Sequence, residues 1–379
     1  MSKKSISICH LADLHLGYRR YNKITPSGFN QREVDVSQAF REAVDRIITI
    51  KPDVVLIAGD IFHSIRPSNT VITFAFRQIK RISSKLKIPI VIIAGNHDSP
   101  KRVESGSLLR LFQEIDLVYI SDQEIEIFNF PDLDLSVTCL PHNVLEQKEK
   151  WNVRADDKYK HNILLTHAQI GSEFFSDFGG ANLNFKQFVA GEWDYIAMGH
   201  IHVYQQIGDN IVYPGAIEHT SKNIWAEAEY NKGFVVVDLP EKRKTFYSLT
   251  TPREVMALPP VDLSGLEPES VMIKLSEVIE SIPGGLEGKI VRLQLDNLPR
   301  NIYALLDHRQ IKNWKSRALN LMIDVRPPEL IAPRVSVSDA KRKTIESELE
   351  EFIGAYENLH TDRKALSKKM AGYFKELAE

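Results

Sequence analysis

The sequence predicts an α/β protein: a β-sandwich flanked by helices, followed by a smaller α+β domain and a C-terminal helical pair. Three observations carry that reading. Short continuous apolar runs, bounded by turn residues, have the composition of strands buried on both faces. Segments with apolar residues at helical spacing lie between them. Five of the runs end abruptly in Asp, His or Asn. In open α/β sheets, ligands gather outside the carboxyl ends of the strands.

The run at residues 6–11 leads into Asp13-Leu14-His15. The loop at 17–32 then carries Tyr18-Arg19-Arg20-Tyr21, an interleaving suited to stacking on bases and neutralising phosphates, or equally to a solvated loop. Val36, Phe40, Val44, Ile47 and Ile48 predict a helix over 34–50. The run from Asp53 ends in Gly59-Asp60, with His63 three residues on. Pro67 and Ser68 open a helix over 69–86, with Val71, Phe74, Ala75, Ile79, Ile82 and Leu86 on one face. Ile72 and Phe76 lie off that stripe and point to a subunit contact.

The run at 90–94 ends in Gly95-Asn96-His97-Asp98, and Lys101-Arg102 beyond it are placed to meet phosphates. A helix is expected over 104–115, and half-buried antiparallel strands at 125–128 and 135–140. Runs at 163–166 and 195–198 lead into His167 and into Gly199-His200-Ile201-His202. Hairpins follow at 204–214 and 233–249. Prolines and polar spacers over 253–268 mark a boundary. Beyond it a helix is expected over 268–282, a strand over 289–295, a helix over 302–314 and a strand over 319–325. A stiff Pro-rich linker leads to helices at 338–356 and 362–377, which have too little core of their own and should dock on something. The expected organisation is 1–252, 253–326, a linker at 327–337 and 338–379.

A length of 379 residues suits two or three domains, and 43% hydrophobic residues can fill their cores. The formal net charge of −2 gives no global basic field, so any contact with DNA must be local. Cys9 and Cys139 form no C-x-x-C pair and read as buried reduced thiols of a cytoplasmic protein. No apolar h-region precedes the first strand, and no apolar run approaches the ~20 residues of a membrane helix. A Gly-rich phosphate loop is absent from the sequence, so an ATPase activity would belong to a partner.

Strands packed in sheets would bring the five ends to one rim. Asp, His and Asn donors suit divalent ions such as Mn2+, Fe2+ or Zn2+, and the lack of cysteine argues against a closed structural zinc site. Asp13, His15, Asp60, Asn96, His167, His200 and His202 are enough for two ions, with the Asp60 carboxylate as the natural bridge. Two metals clamp the attacking and leaving oxygens of a displacement at phosphorus, and a free imidazole stabilises charge or protonates the leaving oxygen. The implied chemistry is phosphoester hydrolysis.

Asp13-x-His15, Gly59-Asp60, Gly95-Asn96-His97-Asp98, His167 and Gly199-His200-x-His202 together resemble the calcineurin-like metallophosphoesterase superfamily over residues ~5–240. That resemblance implies one ion on Asp13, His15, Asp60 and His202, and a second on Asp60, Asn96, His167 and His200. It makes His97 the catalytic imidazole, oriented by Asp98. Asp60-Ile61-Phe62-His63, Gly95 to Pro100 and Tyr213-Pro214-Gly215-Ala216 resemble more narrowly the DNA double-strand-break repair nucleases, the meiotic recombination nuclease and SbcD type.

This narrower resemblance implies that His63 is also catalytic and that two Mn2+ ions serve 3′-to-5′ exonuclease action on duplex ends and endonuclease action on single strands or hairpins. It further implies a DNA-capping domain at 253–326, a homodimer through helices near 69–86 and 104–115, and a C-terminal helix pair that docks on an SMC-like coiled-coil ATPase of the SbcC type. Ala216-Ile217-Glu218-His219 departs from the Ser and Arg of many relatives, leaving the role of His219 open. Lacking the long basic tail of eukaryotic relatives, the chain is expected to be prokaryotic or archaeal and nucleoid-associated. A small-substrate phosphodiesterase or phosphoprotein phosphatase is the alternative, and a DNA-end scaffold with structural metals a third reading.

Overall fold

Every residue of the apolar run Val54–Ala58 is buried, as a strand covered on both faces must be. The computed structural model describes residues 5–99, 106–147, 152–170, 182–183, 190–239, 241–328, 345–355 and 362–378. Its first part comprises β1 (Ser7–Leu11), α1 (Gln31–Ile50), β2 (Val54–Ala58), α2 (Asn69–Leu86), β3 (Ile90–Ile93) and β4 (Val118–Ser121). There follow β5 (Glu126–Phe130), β6 (Leu135–Leu140), α3 (His142–Glu146), β7 (His161–His167), and the short pair β8 (Gln169–Ile170) and β9 (Asn182–Leu183). Next come β10 (Tyr195–Gly199), β11 (Gln205–Ile207), β12 (Ile211–Tyr213), β13 (Gly233–Asp238) and β14 (Arg243–Ser248).

One six-stranded sheet has the order β14-β13-β1-β2-β3-β4 and the other β11-β12-β10-β7-β6-β5. β1 to β4 are mutually parallel, and so are β6, β7, β10 and β12. Alternation along β2 divides its side chains between two cores. Val54, Leu56 and Ala58 share an apolar cluster with Val137, Ile163 and Leu165 of the second sheet. Val55 and Ile57 pack with Phe40, Val44 and Ile47 of α1 and with Ile79 of α2. Two sheets face to face, with helices outside, make the expected α/β sandwich. Cys9 and Cys139 are buried free thiols within it.

The remaining elements are β15 (Val255–Ala257), β16 (Val261–Asp262), α4 (Pro268–Glu280), β17 (Ile290–Asp296), α5 (Arg300–Ala304), α6 (His308–Arg317), β18 (Asn320–Val325), α7 (Ile345–Ala355) and α8 (Arg363–Ala378). By internal packing the chain divides into two units. The larger holds Met1–Pro259, Met272–Gln294 and Asp307–Asp324, and the smaller Pro260–Val271, Leu295–Leu306 and Val325–Glu379. In the larger, β15 runs parallel to Ile290, Val291 and Arg292 of β17. In the smaller, β16 pairs with Leu295 and Asp296, and Leu349, Phe352, Ile353, Leu366, Met370 and Tyr373 of α7 and α8 line an apolar groove.

Several expectations need correction. Residues 108–114 form a 3₁₀ helix, Leu108–Glu114, capped by the Ser107 hydroxyl, where an α-helix was expected. With three residues per turn, Leu109, Phe112 and Ile115 line up and are buried, while Leu111 is left 42% exposed. β6 is buried along its whole length, Ser136 and Thr138 included, because it is an inner strand with β5 and β7 on either side. The helix expected over 302–314 is broken: Asp307 accepts hydrogen bonds from the amides of Arg309 and Gln310, which starts α6 afresh. α1 begins at Gln31, earlier than its apolar pattern, because Asn30 caps it. Lys101, Arg102 and most of the expected linker lie outside the described residues. No described helix is long and apolar enough to cross a membrane.

Candidate metal centre

The parallel strands deliver their polar ends to one place. Asp13 and His15 follow β1, Asp60 follows β2, Asn96 and His97 follow β3, His167 ends β7, and His200 and His202 follow β10. Turning a side chain back over its own strand end demands an unusual backbone: Asp13, His15, Asp60 and His200 have φ of 52°, 45°, 54° and 95°. Side-chain-bearing residues seldom adopt that left-handed region, which costs ~1–3 kcal/mol apiece and persists only where the surroundings enforce it. Here the Asp13 amide donates to the Gly59 carbonyl at 3.1 Å, His15 to Asp60 at 2.9 Å and Leu16 to Ile61 at 2.8 Å.

Two groups of donors result. In the first, His15 Nε2 lies 3.0 Å from His202 Nε2, which is 3.8 Å from Asp13 Oδ1. The His200 amide donates to both Asp13 oxygens, at 3.2 and 3.1 Å. In the second, Asn96 Oδ1 lies 3.0 Å from His167 Nε2 and 3.2 Å from His200 Nδ1. Asp60 stands between them, its Oδ2 3.7 Å from His15 Nε2 and 3.5 Å from His167 Nε2, while its Oδ1 accepts the His97 amide at 2.8 Å. The ligand atoms of Asp13, His15 and His202 all lie within 4.8 Å of one another, as do those of Asp13, Asp60 and His167.

Close packing requires glycine. A Cβ on Gly59, whose φ is +83°, would stand 2.5 Å from His167 Nδ1, and one on Gly199 would strike the Ala58 carbonyl oxygen to which that Nδ1 is bonded.

Electrostatically the cluster is arranged for a cation. Burial pushes the Asp13 carboxyl up to about 7 and raises Asp60 as well. Burial, then neighbouring imidazoles, hold His15 and His167 well below their ordinary range. His202 is the exception: burial pulls it down, but the carboxylate of Glu227 beside it leaves it raised. Neutral imidazoles and oxygen donors without thiolate suit borderline-hard divalent ions, and converging buried carboxylates are relieved by positive charge. The residues therefore fit divalent cations.

Residues 6–204 match the family model for calcineurin-like phosphoesterases. The chain belongs to that family. It is similar to proteins named "DNA double-strand break repair protein Mre11": 30% identical to that of Methanocaldococcus jannaschii over 239 residues, 60% of this chain and 61% of the relative. The protein of Methanococcus maripaludis is 32% identical over 244 residues, 61% and 62% of the two chains. That of Thermoplasma acidophilum is 28% identical over 240 residues, 61% of each. The chain thus aligns with under two thirds of the length of these curated relatives.

Other expected site residues of the phosphoesterase fall on the same rim in different roles. His63 and His97 stack with ring centroids 5.2 Å apart, and His97 Nδ1 is bonded to the His63 carbonyl at 2.7 Å. Burial, then the charge of His97, holds His63 down at about 4. Asp98 was expected to orient His97, but its carboxylate is occupied by the amides of Ile61, Phe62 and Gly95, so it fixes the turn carrying Asp60 and His63. Tyr18 is only 4% exposed. Its ring meets His63 edge-on at 4.9 Å under the Arg32 guanidinium, which removes it as an open platform for a base. Arg19 is exposed and paired with Glu33, and Arg20 reaches the carbonyls of Ser221 and Lys222.

Some residues near the centre escaped sequence reasoning. His142, which lies in no motif, is buried with its ring 6.3 Å from that of His167. The end of β6 is a sixth polar strand end, and that was the available signal. His10 bonds the Tyr195 hydroxyl across the two sheets at 2.8 Å, as a structural strand residue. His219 is buried with Nδ1 3.9 Å from Glu227 Oε2. Glu227 and Lys232 had no sequence signal at all.

Proposed function

We propose that this calcineurin-like phosphoesterase is a two-metal, Mn2+-dependent DNA nuclease of double-strand-break repair. The observation that carries the reading is the Asp60 carboxylate, whose Oδ2 is within 3.7 Å of ring nitrogens from both donor groups. Asp13, His15, Asp60 and His202 would hold one ion, and Asp60, Asn96, His167 and His200 the other. When bound, the ions supply Lewis acidity and positive charge to a phosphodiester. The protein's own residues orient and exchange protons. His97, whose Nδ1–H is given to the His63 carbonyl, presents Nε2 to the site; in the imidazolium form that nitrogen would give its proton to the leaving oxygen, leaving the neutral ring with Nδ1–H in place. His63 stacks against it and, held near 4, remains neutral at pH 7.

DNA as substrate is supported by the names of the relatives, and acting on both duplex ends and single strands or hairpins is part of the proposal. So are a capping role for the segment at 253–326 and a homodimer through α2 and the neighbouring 3₁₀ helix, where Leu111 is exposed and Ile72 half-buried. The apolar groove of α7 and α8, with Phe352 54% and Tyr373 56% exposed, supports docking on a coiled-coil ATPase. Hydrolysis of linear duplex and circular single-stranded DNA with Mn2+, against EDTA and with bis-(p-nitrophenyl) phosphate in parallel, tests the reading. Metal-dependent cutting of both DNAs is expected. Cleavage of the small diester alone would move the substrate to nucleotides or phosphoproteins.

A further inference from the structure

Each imidazole aimed at a metal needs its second ring nitrogen held, because that bond fixes the tautomer and the plane of the ring. Two of the candidate ligands solve this differently. His167 Nδ1 is bonded to a backbone carbonyl, Ala58 O, at 2.7 Å. His202 Nδ1 faces a carboxylate oxygen, Glu227 Oε1, at 3.4 Å, with the Thr220 hydroxyl also at 3.4 Å. Its Nε2 points the other way, at His15 Nε2 and Asp13 Oδ1.

Glu227 does not stand alone. Lys232 Nζ donates to Glu227 Oε2 at 2.5 Å and to the His202 carbonyl oxygen at 2.8 Å. The ammonium therefore holds both the carboxylate and the backbone of the residue that carboxylate faces. Glu227 and Lys232 are each 2% exposed. A buried ion pair contributes little to stability by itself, since desolvation cancels most of the attraction. Its placement behind one ligand gives it a different use.

We propose that Glu227 and Lys232 are positioning residues that hold His202 with Nδ1 protonated and Nε2 free to bind the ion on the Asp13 side of the centre. The inference rests on the two-metal reading above and extends it to residues outside the ligand set. It makes the two ions unequal in what they depend on. The ion bound through Asp13, His15 and His202 depends on a charged side chain at the end of a short 3₁₀ helix, Ile224–Glu227, whereas the ion bound through Asn96, His167 and His200 depends on the carbonyl of a strand.

Mn2+ titration of the full chain by calorimetry, with metal content after dialysis, reads this without turnover. The wild-type protein is expected to bind two ions. Replacing the carboxylate with its isostere in Glu227→Gln should weaken one of the two sites by ~10-fold, and Glu227→Ala by up to ~100-fold, the range seen when such supporting groups are lost. The other site should keep its wild-type affinity. Lys232→Met should weaken the same site by less, and Glu227→Asp should restore part of the loss. Unchanged affinities at both sites in Glu227→Gln and Glu227→Ala, or equal weakening at both, would overturn the positioning role. A wild-type chain that binds no Mn2+ would remove the two-metal reading itself, an outcome distinct from either.

Discussion

The two halves of the centre reach the same donor chemistry by different supports. On the Asp13 side, a ring is backed by the Glu227 carboxylate, itself gripped by Lys232. On the Asn96 side, the ring of His167 is backed by the Ala58 carbonyl at the end of β2. Side-chain support is adjustable, because one substitution changes its charge. Backbone support is not, because the carbonyl goes wherever the strand goes. The half built on backbone is instead vulnerable through the glycines that allow the strands to approach so closely.

Breaking what both halves share should have the largest effect. Asp60→Ala removes the shared carboxylate, and metal analysis should show both ions lost, with DNA hydrolysis reduced at least ~10³-fold, equivalent to about 4 kcal/mol of barrier. Retention of two ions in that variant would defeat the shared role. His97 belongs to neither half. His97→Ala should therefore keep both ions and lose turnover by ~10²–10⁴-fold, the usual worth of a positioned acid or base. Turnover at the wild-type rate would take it out of the mechanism.

Gly199→Ala sharpens the contrast from the other side. The new methyl group collides with the Ala58 carbonyl and crowds His167, so overpacking should cost ~1–3 kcal/mol in a denaturant melt. The ion lost first should be the one opposite to that lost in Glu227 variants. If the same ion is lost in both, the two supports are not separate.

The smallest effect lies far from the rim. Burial pushes the Glu42 carboxyl up, but hydrogen bonds from the hydroxyls and amides of Thr250 and Thr251 outweigh it and bring it down to about 2. A depressed carboxyl stabilises the fold above its ordinary value of 4.5 and loses that contribution as pH falls towards 2. Thermal melts of wild type and Glu42→Gln should therefore converge through that window. A difference that stays constant from pH 5 to 2 would mean that the threonine bonds do not depend on the charge.

The strands and the candidate site were legible together because each candidate ligand is adjacent in sequence to an apolar run: Asp60 needs only Val54–Ala58 before it to be placed. What stayed hidden depends on partners far along the chain. Arg32 and Asp35 look like the polar face of α1, yet they are buried because Glu218 and Arg253, 186 and 218 residues away, meet them. Glu227 and Lys232 lie in a stretch with no periodic pattern, so nothing local marks them. Tyr18 misled for a related reason: an aromatic beside arginines suggests an open stacking surface, but Arg32 folds over its ring from inside. The 3₁₀ turn at 108–114 has apolar residues at both three- and four-residue spacing, and only packing decided between them.

The order of strands in the first sheet bears on how this protein comes into being. β1 leaves the ribosome before either of its neighbours, yet it lies inside its sheet between β2 and β13. One edge of it stays unpaired until residue 238 has been made. At ~5–20 residues per second that interval is on the order of ten seconds or longer. During it an apolar strand edge is open to wrong partners. The donors at Asp13 and His202 are likewise strangers until late in synthesis. A nascent chain thus has no use for metal early on, and chaperone protection of β1 until β13 has been made is the need its topology creates.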